Sequence, residues 1–489
     1  MEFNLARREK AKDRGEDPLD QAPAVRLQRM LLEEALRAGA SDIHIEPLAG
    51  AVQVRYRIDG GLTAGPTLPK PLQENLVSRF KISSNLNISE KRHPQDGSFR
   101  VSVLGQALDL RVSCLPSLWG EKVVIRILAP ESGGRRLEQL GIDEEILETL
   151  LTMSERPQGM LLVVGPTGSG KSTTLYALLQ AIHRPRLNLV TLEDPVEYLQ
   201  EGLTQIQINE KIGFTFAAAL RSVLRQDPDV IMVGEIRDEE TALIAFRAAM
   251  TGHLVLSTLH TNDAAATITR LFNLGLAPYL VSSALLGILS QRLVRRNCPD
   301  CLEPDRPEPA LLRRYPFLVP ALGSAPAVFL HRSRGCPACR GTGGAGREGV
   351  FELLTVSPAV REAILGRASE TELRTLTVSA GMATLLDCAL HKVREGKVSL
   401  EELLRVVPCE VGTRGCPRCD YPLEQAFRYC PGCAAPLVRE CGFCRQELQK
   451  TWRICPRCGN PWAGSAGPVT AGPPAGIGER GVALGSAGS

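Results

Sequence analysis

The chain has 489 residues, 44% hydrophobic and 23% charged, with a formal net charge of +3. That composition is ordinary for a folded globular protein, and the length allows two to four domains. It excludes a fibrous or wholly disordered chain, and the small net charge gives no support to nucleic-acid or anionic-membrane binding by itself.

Residues 1–21 are rich in charge (Arg7, Arg8, Glu9, Lys10, Lys12, Asp13, Arg14) with no apolar core, so they read as a polar tail and not as a secretory leader. From Val25 the apolar spacing is helical, with Leu27, Leu31 and Ala35 sharing a face with Leu32 and Leu36. Ile43 and Ile45 flank His44 as a short strand. Val52, Val54, Tyr56 and Ile58 alternate with polar residues, and Asp59-Gly60-Gly61 supplies a turn. A second alternating stretch runs from Phe99 to Val112 and a third from Val123 to Leu128, giving a small α+β domain over 22–130. Glu131-Ser132-Gly133-Gly134 reads as a linker.

Beyond it, apolar runs at Leu161–Val164, Leu189–Leu192, Val230–Val233 and Leu254–Ser257 alternate with helical segments. This predicts an α/β domain with a mostly parallel sheet over 135–407. The uncharged stretch Leu271–Gln291 holds Asn273, Pro278 and three serines, so it is expected to be a buried helix with its approach loop and not a membrane span.

Fifteen cysteines are present, and twelve form six Cys-x-x-Cys pairs. In a chain without a secretory leader that spacing points to zinc before disulfides. Cys298, Cys301, Cys336 and Cys339 make one tetrahedral set in an insert over 298–339. Cys416, Cys419, Cys430 and Cys433 make a second, and Cys441, Cys444, Cys455 and Cys458 a third; each of these encloses ten residues, and the unit recurs after 25 residues. Residues 411–460 are thus tandem zinc ribbons, expected to serve an unidentified protein partner. Their scattered arginines read as a solvated face. Cys114, Cys388 and Cys409 are left as buried small side chains. Residues 461–489, dominated by Gly, Ala, Ser and Pro, are expected to be disordered.

Gly165, Pro166, Thr167, Gly168, Ser169, Gly170, Lys171 and Ser172, with Thr173 following, fit the phosphate-loop pattern, and they lie between an apolar strand and a helix. Glycines let backbone N–H groups surround phosphate oxygens, Lys171 would reach the β- and γ-phosphates of ATP, and Ser172 would hold Mg²⁺. Gly234 stands where many such enzymes place an aspartate, leaving Glu235 as the base that polarises the attacking water. Glu193 and Asp194 close another strand and are expected to hold Mg²⁺ through water. His260, with Thr258, would sense the γ-phosphate, and His253 opens the same segment.

The phosphate loop, the acidic segment Thr191–Tyr198, Asp227–Asp238 and the histidine segment Gly252–Asp263, in this order, resemble the secretion ATPase superfamily, and within it the type II secretion and type IV pilus assembly ATPases. Ala40–Pro47, Lys91–Gly97, Ser113–Glu121 and Gln291–Pro299 fit the same pattern, and the resemblance covers 22–407. It implies a PAS-like N-terminal domain joined to a RecA-like ATPase domain, a homohexameric ring, and a cytoplasmic motor peripheral on the inner membrane that drives a platform protein. It further implies that Arg111 and Arg126 reach the phosphates from the N-terminal domain, and that Arg221 and Arg225 stand near the site. The Cys298–Cys339 set matches the assembly and secretion branch rather than the retraction branch. The tandem ribbons lie outside the family pattern. Many relatives also carry an extra N-terminal docking domain; with only about twenty residues before the PAS-like domain, that mode of docking is not expected here. Two alternatives stand beside this reading: a nucleotide-binding adaptor that scaffolds partners through its ribbons, and the motor of a DNA-uptake pilus.

Overall fold

The computed structural model describes residues 23–128, 134–315, 317–318, 330–409, 429–430, 433, 435, 441–444, 446, 448 and 454–461. The expected tails, residues 131–133 of the linker, and Cys416 and Cys419 lie outside the described residues. Two compact units separate, Met1–Pro307 with Leu322–Cys409, and Glu308–Ala321 with Glu410–Ser489.

The first unit opens with helix α1 (Pro23–Arg37) and strands β1 (Ala40–Pro47), β2 (Ala51–Ile58) and β3 (Gly61–Pro69). Helix α2 (Gln73–Ser83) and strands β4 (Gln95–Val103), β5 (Gln106–Ser117) and β6 (Gly120–Leu128) follow. The six strands form one antiparallel sheet in the order β3-β2-β1-β6-β5-β4. Its period-two pattern buries Val52, Val54, Tyr56, Leu108, Leu110 and Val112 against Leu31, Leu32, Leu76 and Phe80 of the two helices. Two details differ from expectation. Strand β3 is additional, and the stretch 99–112 divides at Leu104 and Gly105, whose φ of 49° and 80° make a two-residue hairpin joining Val103 to Gln106.

A seven-stranded sheet follows. It contains β7 (Gly159–Val164), β8 (Leu189–Glu193), β9 (Thr204–Gln207), β10 (Val230–Val233), β11 (Leu254–Leu259) and β12 (Leu285–Asn297). A short antiparallel pair, β13 (Leu302–Asp305) with β14 (Leu330–Ser333), precedes its last strand, β15 (Gly344–Thr355). The order is β15-β12-β7-β11-β10-β8-β9, parallel throughout except for β15. Helices α3 (Glu144–Ser154) and α4 (Lys171–Ile182) cover one face, where Leu161, Val163, Leu175, Leu178 and Leu256 meet. Helices α5 (Phe216–Val223), α6 (Glu239–Met250), α7 (Ala264–Asn273) and α8 (Pro278–Ala284) cover the other, around Leu162, Val164, Ile231, Val255 and Phe246. With both faces covered, these strands are continuous apolar runs, as a parallel sheet requires. Phe246 has no solvent exposure, and its truncation to alanine would cost about 3–5 kcal/mol.

The stretch 271–291 is only in part the expected buried helix with its approach loop. It ends α7, forms the short α8 and then enters β12, pairing in parallel with β7. A short apolar run has no periodicity that separates buried strand from buried helix, and the sheet decided the matter. Among the described residues, no helix is long and apolar enough to cross a membrane.

In the second unit, Pro309–Arg314 is helical, and the Tyr315 and Phe317 rings meet edge-on at 6.0 Å. Glu308–Ala321 thus groups with the ribbons rather than with the ATPase domain. The duplication in 411–460 shows in the backbone: Cys430 N–H donates to Ala435 O, Cys441 N–H to Gln446 O and Cys455 N–H to Asn460 O, each at 2.8 Å.

Candidate functional site

The phosphate loop leaves the carboxyl end of β7 and enters α4. Gly165, Gly168 and Gly170 have φ of 149°, 78° and 90°. A Cβ on Gly165 would lie 2.5 Å from Gln291 O, so only glycine lets the loop pass this close to β12. Lys171 is 9% exposed, and its Nζ donates to Gly165 O at 3.0 Å and Pro166 O at 3.1 Å. Burial pulls its ammonium down to about 8, with Glu235 opposing the shift. Pro166, Thr167, Gly168 and Ser172 are exposed at the loop surface, while Ser169 is buried and Gly170 and Thr173 lie between.

Glu235 follows β10 at this same edge. A Cβ on the preceding Gly234 would come 3.1 Å from Leu192 O, which explains a glycine where an aspartate is common. The Glu235 carboxylate pairs with Arg237 and lies 3.6 Å from His260 Nε2. Burial, then the nearby Lys171 charge, holds His260 below the usual imidazole range. Thr258, at the end of β11, donates from Oγ1 to Gly234 O at 2.7 Å, locking the two strand ends together. Lys171, Glu235 and His260 therefore form one electrostatically coupled group.

The remaining expected residues fall into different settings. Glu193 is buried at the end of β8, its carboxylate accepting from Thr191 Oγ1 at 2.6 Å, from Gln205 Nε2 at 3.2 Å and from the Tyr176 hydroxyl of α4. Those bonds tie it to the phosphate-loop helix and engage both its oxygens, while Asp194 beside it is exposed. Arg111 and Arg126 are register partners on β5 and β6. Arg111 Nη1 reaches Glu197, beyond β8, at 3.2 Å, whereas Arg126 Nε holds Asp42 of its own sheet at 3.1 Å. Arg221 pairs with Glu240, and Arg225 donates to Arg221 O at 2.8 Å. His253 stands apart from the others: it precedes β11, with Nδ1 3.1 Å from Ala248 O. Six strand residues at about 3.3 Å each separate it from the phosphate edge.

Sequence reasoning missed Gln291 and Arg292. Gln291, 2% exposed on β12, donates from Nε2 to Ser169 O at 2.6 Å and so braces the phosphate loop from behind. Arg292, also buried, donates to Asn262 O at 2.6 Å and fixes the segment that carries His260. Their segment matches the family pattern, and that match alone could have drawn attention to them.

In the insert, the sulfurs of Cys298 and Cys336 are 3.8 Å apart, those of Cys301 and Cys339 3.9 Å, and those of Cys336 and Cys339 3.7 Å. Tetrahedral zinc with bonds of about 2.3 Å requires sulfurs about 3.8 Å apart, so this set fits the metal. The N–H groups of Gly335, Cys336 and Gly343 point at its sulfurs, which favours thiolate charge and draws Cys339 down to about 6. Cys441, Cys444, Cys455 and Cys458 form a second compact set, with sulfurs of opposite pairs 3.6 and 3.5 Å apart. Cys430 and Cys433 are among the described residues, whereas Cys416 and Cys419, expected to complete their set, are not. Cys114 and Cys388 are buried thiols that burial pushes up to about 11 and 12.

The family model Type II/IV secretion system protein matches residues 17–405, and Double zinc ribbon matches residues 416–459. The type IV pilus assembly ATPase PilB of Thermus thermophilus is 47% identical over 386 residues, 79% of this chain and 43% of that protein. The type II secretion system protein E of Pseudomonas aeruginosa is 47% identical over 390 residues, and the type II secretion system ATPase E of Vibrio cholerae 46% over 387. The chain thus spans less than half of the first relative and 76% of the other two. Among solved structures, the pilus retraction motor PilT with bound ADP superposes with a TM-score of 0.52 at 29% identity, covering 77% of this chain and 96% of PilT. The ATPase DotB of Yersinia pseudotuberculosis shares the fold, with a TM-score of 0.58 at 22% identity over 81% of this chain and 96% of DotB.

Proposed function

The chain belongs to the Type II/IV secretion system protein family of ATPases, and on that premise we propose that it is a hexameric ATP-hydrolysing motor for type II secretion or type IV pilus assembly. The observation that carries this reading is the coupled group of Lys171, Glu235 and His260 at the carboxyl edge of a phosphate-loop sheet. In this reading the loop amides and Lys171 hold the phosphates of ATP. Glu235 takes the proton of the attacking water. His260, kept neutral by its surroundings, orients that water or reads the γ-phosphate through its ring nitrogen. Ser172 would hold Mg²⁺, which neutralises charge on the phosphate oxygens when bound.

Arg111 couples chemistry to movement in this scheme. Its guanidinium already bridges from the N-terminal sheet to Glu197 beyond β8. Transfer of that guanidinium from a carboxylate to the γ-phosphate would draw the N-terminal domain toward the ATPase domain, and phosphate release would return it. Repeated around a ring, such closures would turn a platform protein of the inner membrane from the cytoplasmic side. The ribbons would serve a protein partner, a reading supported by Phe443, Tyr429 and Ile454, which are 79%, 64% and 58% exposed.

The test is a pull-down of Glu235→Gln chain from its native cells with ATP present. Recovery of a polytopic membrane protein together with pilins or pseudopilins supports the motor and names its machine. Recovery of soluble proteins alone overturns it in favour of the ribbon-bearing adaptor.

A further inference from the structure

The Cys298–Cys339 zinc knuckle carries no chemistry in the scheme above, yet it lies where the N-terminal domain meets the ATPase domain. Arg340 follows Cys339 directly, in a left-handed turn with φ of 53°. Its Nη2 donates to Arg37 O at 2.5 Å, at the carboxyl-terminal residue of α1. A guanidinium there meets the negative end of the helix. Gly346 N–H donates to Asp59 Oδ2 at 3.1 Å, in the turn between β2 and β3. That amide lies in the register shift of the β12–β15 ladder, outside its strand pairs. At the same turn, Arg295 Nη1 lies 3.5 Å from where a Cβ on Gly61 would stand.

These contacts depend on the conformation of the knuckle. The turn bearing Arg340 is closed by Gly341 N–H to Cys336 O at 2.9 Å and Thr342 N–H to Cys339 O at 3.0 Å. Cys298 N–H donates to Gly343 O at 2.9 Å, binding the two halves of the insert. Four metal–sulfur bonds would hold those halves together more strongly than these few hydrogen bonds do. The middle of the same strand reaches the phosphate loop, because Gln291 lies halfway along β12 and Cys298 directly follows its last residue.

We propose that the zinc knuckle is the docking seat of the chain's own N-terminal domain: zinc shapes the loop that presents Arg340 and Gly346 to the end of α1 and the β2–β3 turn. Zinc loading thereby sets how firmly the moving domain is held, at a point linked by one strand to the phosphate loop. This rests on the reading of the four thiolates as zinc ligands and not on turnover.

The experiment is amide hydrogen exchange on the full chain, resolved to Gly346, with zinc content measured on the same samples. The zinc-loaded chain is expected to protect Gly346. The double variant Cys336→Ser, Cys339→Ser is expected to lose one zinc and speed exchange there at least tenfold. Cys441→Ser, which disrupts a ribbon set, is expected to leave it unchanged. Arg340→Ala and Asp59→Ala retain every cysteine, so they should keep full zinc and still speed exchange at Gly346 several-fold, while Val350–Leu354 stay protected. Unchanged protection in the double variant or in Asp59→Ala overturns the proposal. A wild-type chain that binds no zinc at the knuckle overturns the zinc reading and the proposal together. A chain that loads zinc and docks but hydrolyses no ATP overturns only the motor.

Discussion

Replacing Gln291 tests whether the brace behind the phosphate loop matters for nucleotide binding. Its Nε2 is the donor to Ser169 O, and the side chain is 2% exposed, so no water can take its place without opening the sheet. Gln291→Met keeps volume and removes the donor. A buried carbonyl left without a partner costs about 1–3 kcal/mol. If the loop meets that cost by turning Ser169 O outward, the amides of Gly170 and Lys171 turn away from the phosphates. At about 1.4 kcal/mol per decade, kcat/KM should fall by about 5- to 150-fold. The weakening should appear first in nucleotide affinity, read with a fluorescent ATP analogue beside steady-state turnover. Gln291→Glu sets an acceptor against an acceptor and should be worse than methionine. Equal affinity in all three chains, or glutamate better than methionine, refutes the argument.

The Glu235→Gln chain should bind ATP at near wild-type affinity while turnover falls by about 10²- to 10⁴-fold, the range of a positioned general base, and retained turnover in a phosphate-release assay would remove Glu235 from that role. Lys171 gives a pH dependence. Burial holds its ammonium at about 8, below the ordinary lysine value, so the unfolded chain binds the proton more tightly and stability should rise as pH climbs from about 8 toward 10.5. Phosphates stabilise the charged form, so ATP binding between pH 8 and 9 should take up a proton, seen as a buffer-dependent heat in calorimetry; a heat independent of buffer contradicts it. Elemental analysis should find three zinc ions per chain, one for each cysteine set, and a chain with none would leave the thiol geometry without a ligand.

The strands that carry the site were legible because burial on both faces leaves an unmistakable mark. Leu161–Val164 and Val230–Val233 have no position that tolerates polarity, and the phosphate loop can only follow such a strand. Where the fold departed, physical signals were weak or shared. Strand β3 contains Gly65 and Pro66 and has no buried residue, and it forms because β2 supplies a partner edge. Leu104-Gly105 is not among the strong hairpin dipeptides, so the break between β4 and β5 left little trace. The partners of site residues were the least visible. Tyr176 meets Glu193, and Arg111 meets Glu197, only because helix and strand, or two separate sheets, converge in space. His253 and His260 lie seven residues apart in sequence, and a strand between them puts them at opposite edges of the sheet.

The sulfurs of Cys298 and Cys336 are 3.8 Å apart, yet the chain that joins Cys301 to Cys336 is 34 residues long. Both ends of that excursion are clipped at one point, so its length is invisible to the sheet beneath. Loop-closure entropy grows only as the logarithm of length, and doubling such a stretch costs about 0.6 kcal/mol. The knuckle is therefore a grafting point: foreign sequence spliced between the clips should leave β12 and the phosphate loop in register, and members of this family can differ freely there in length while agreeing on either side.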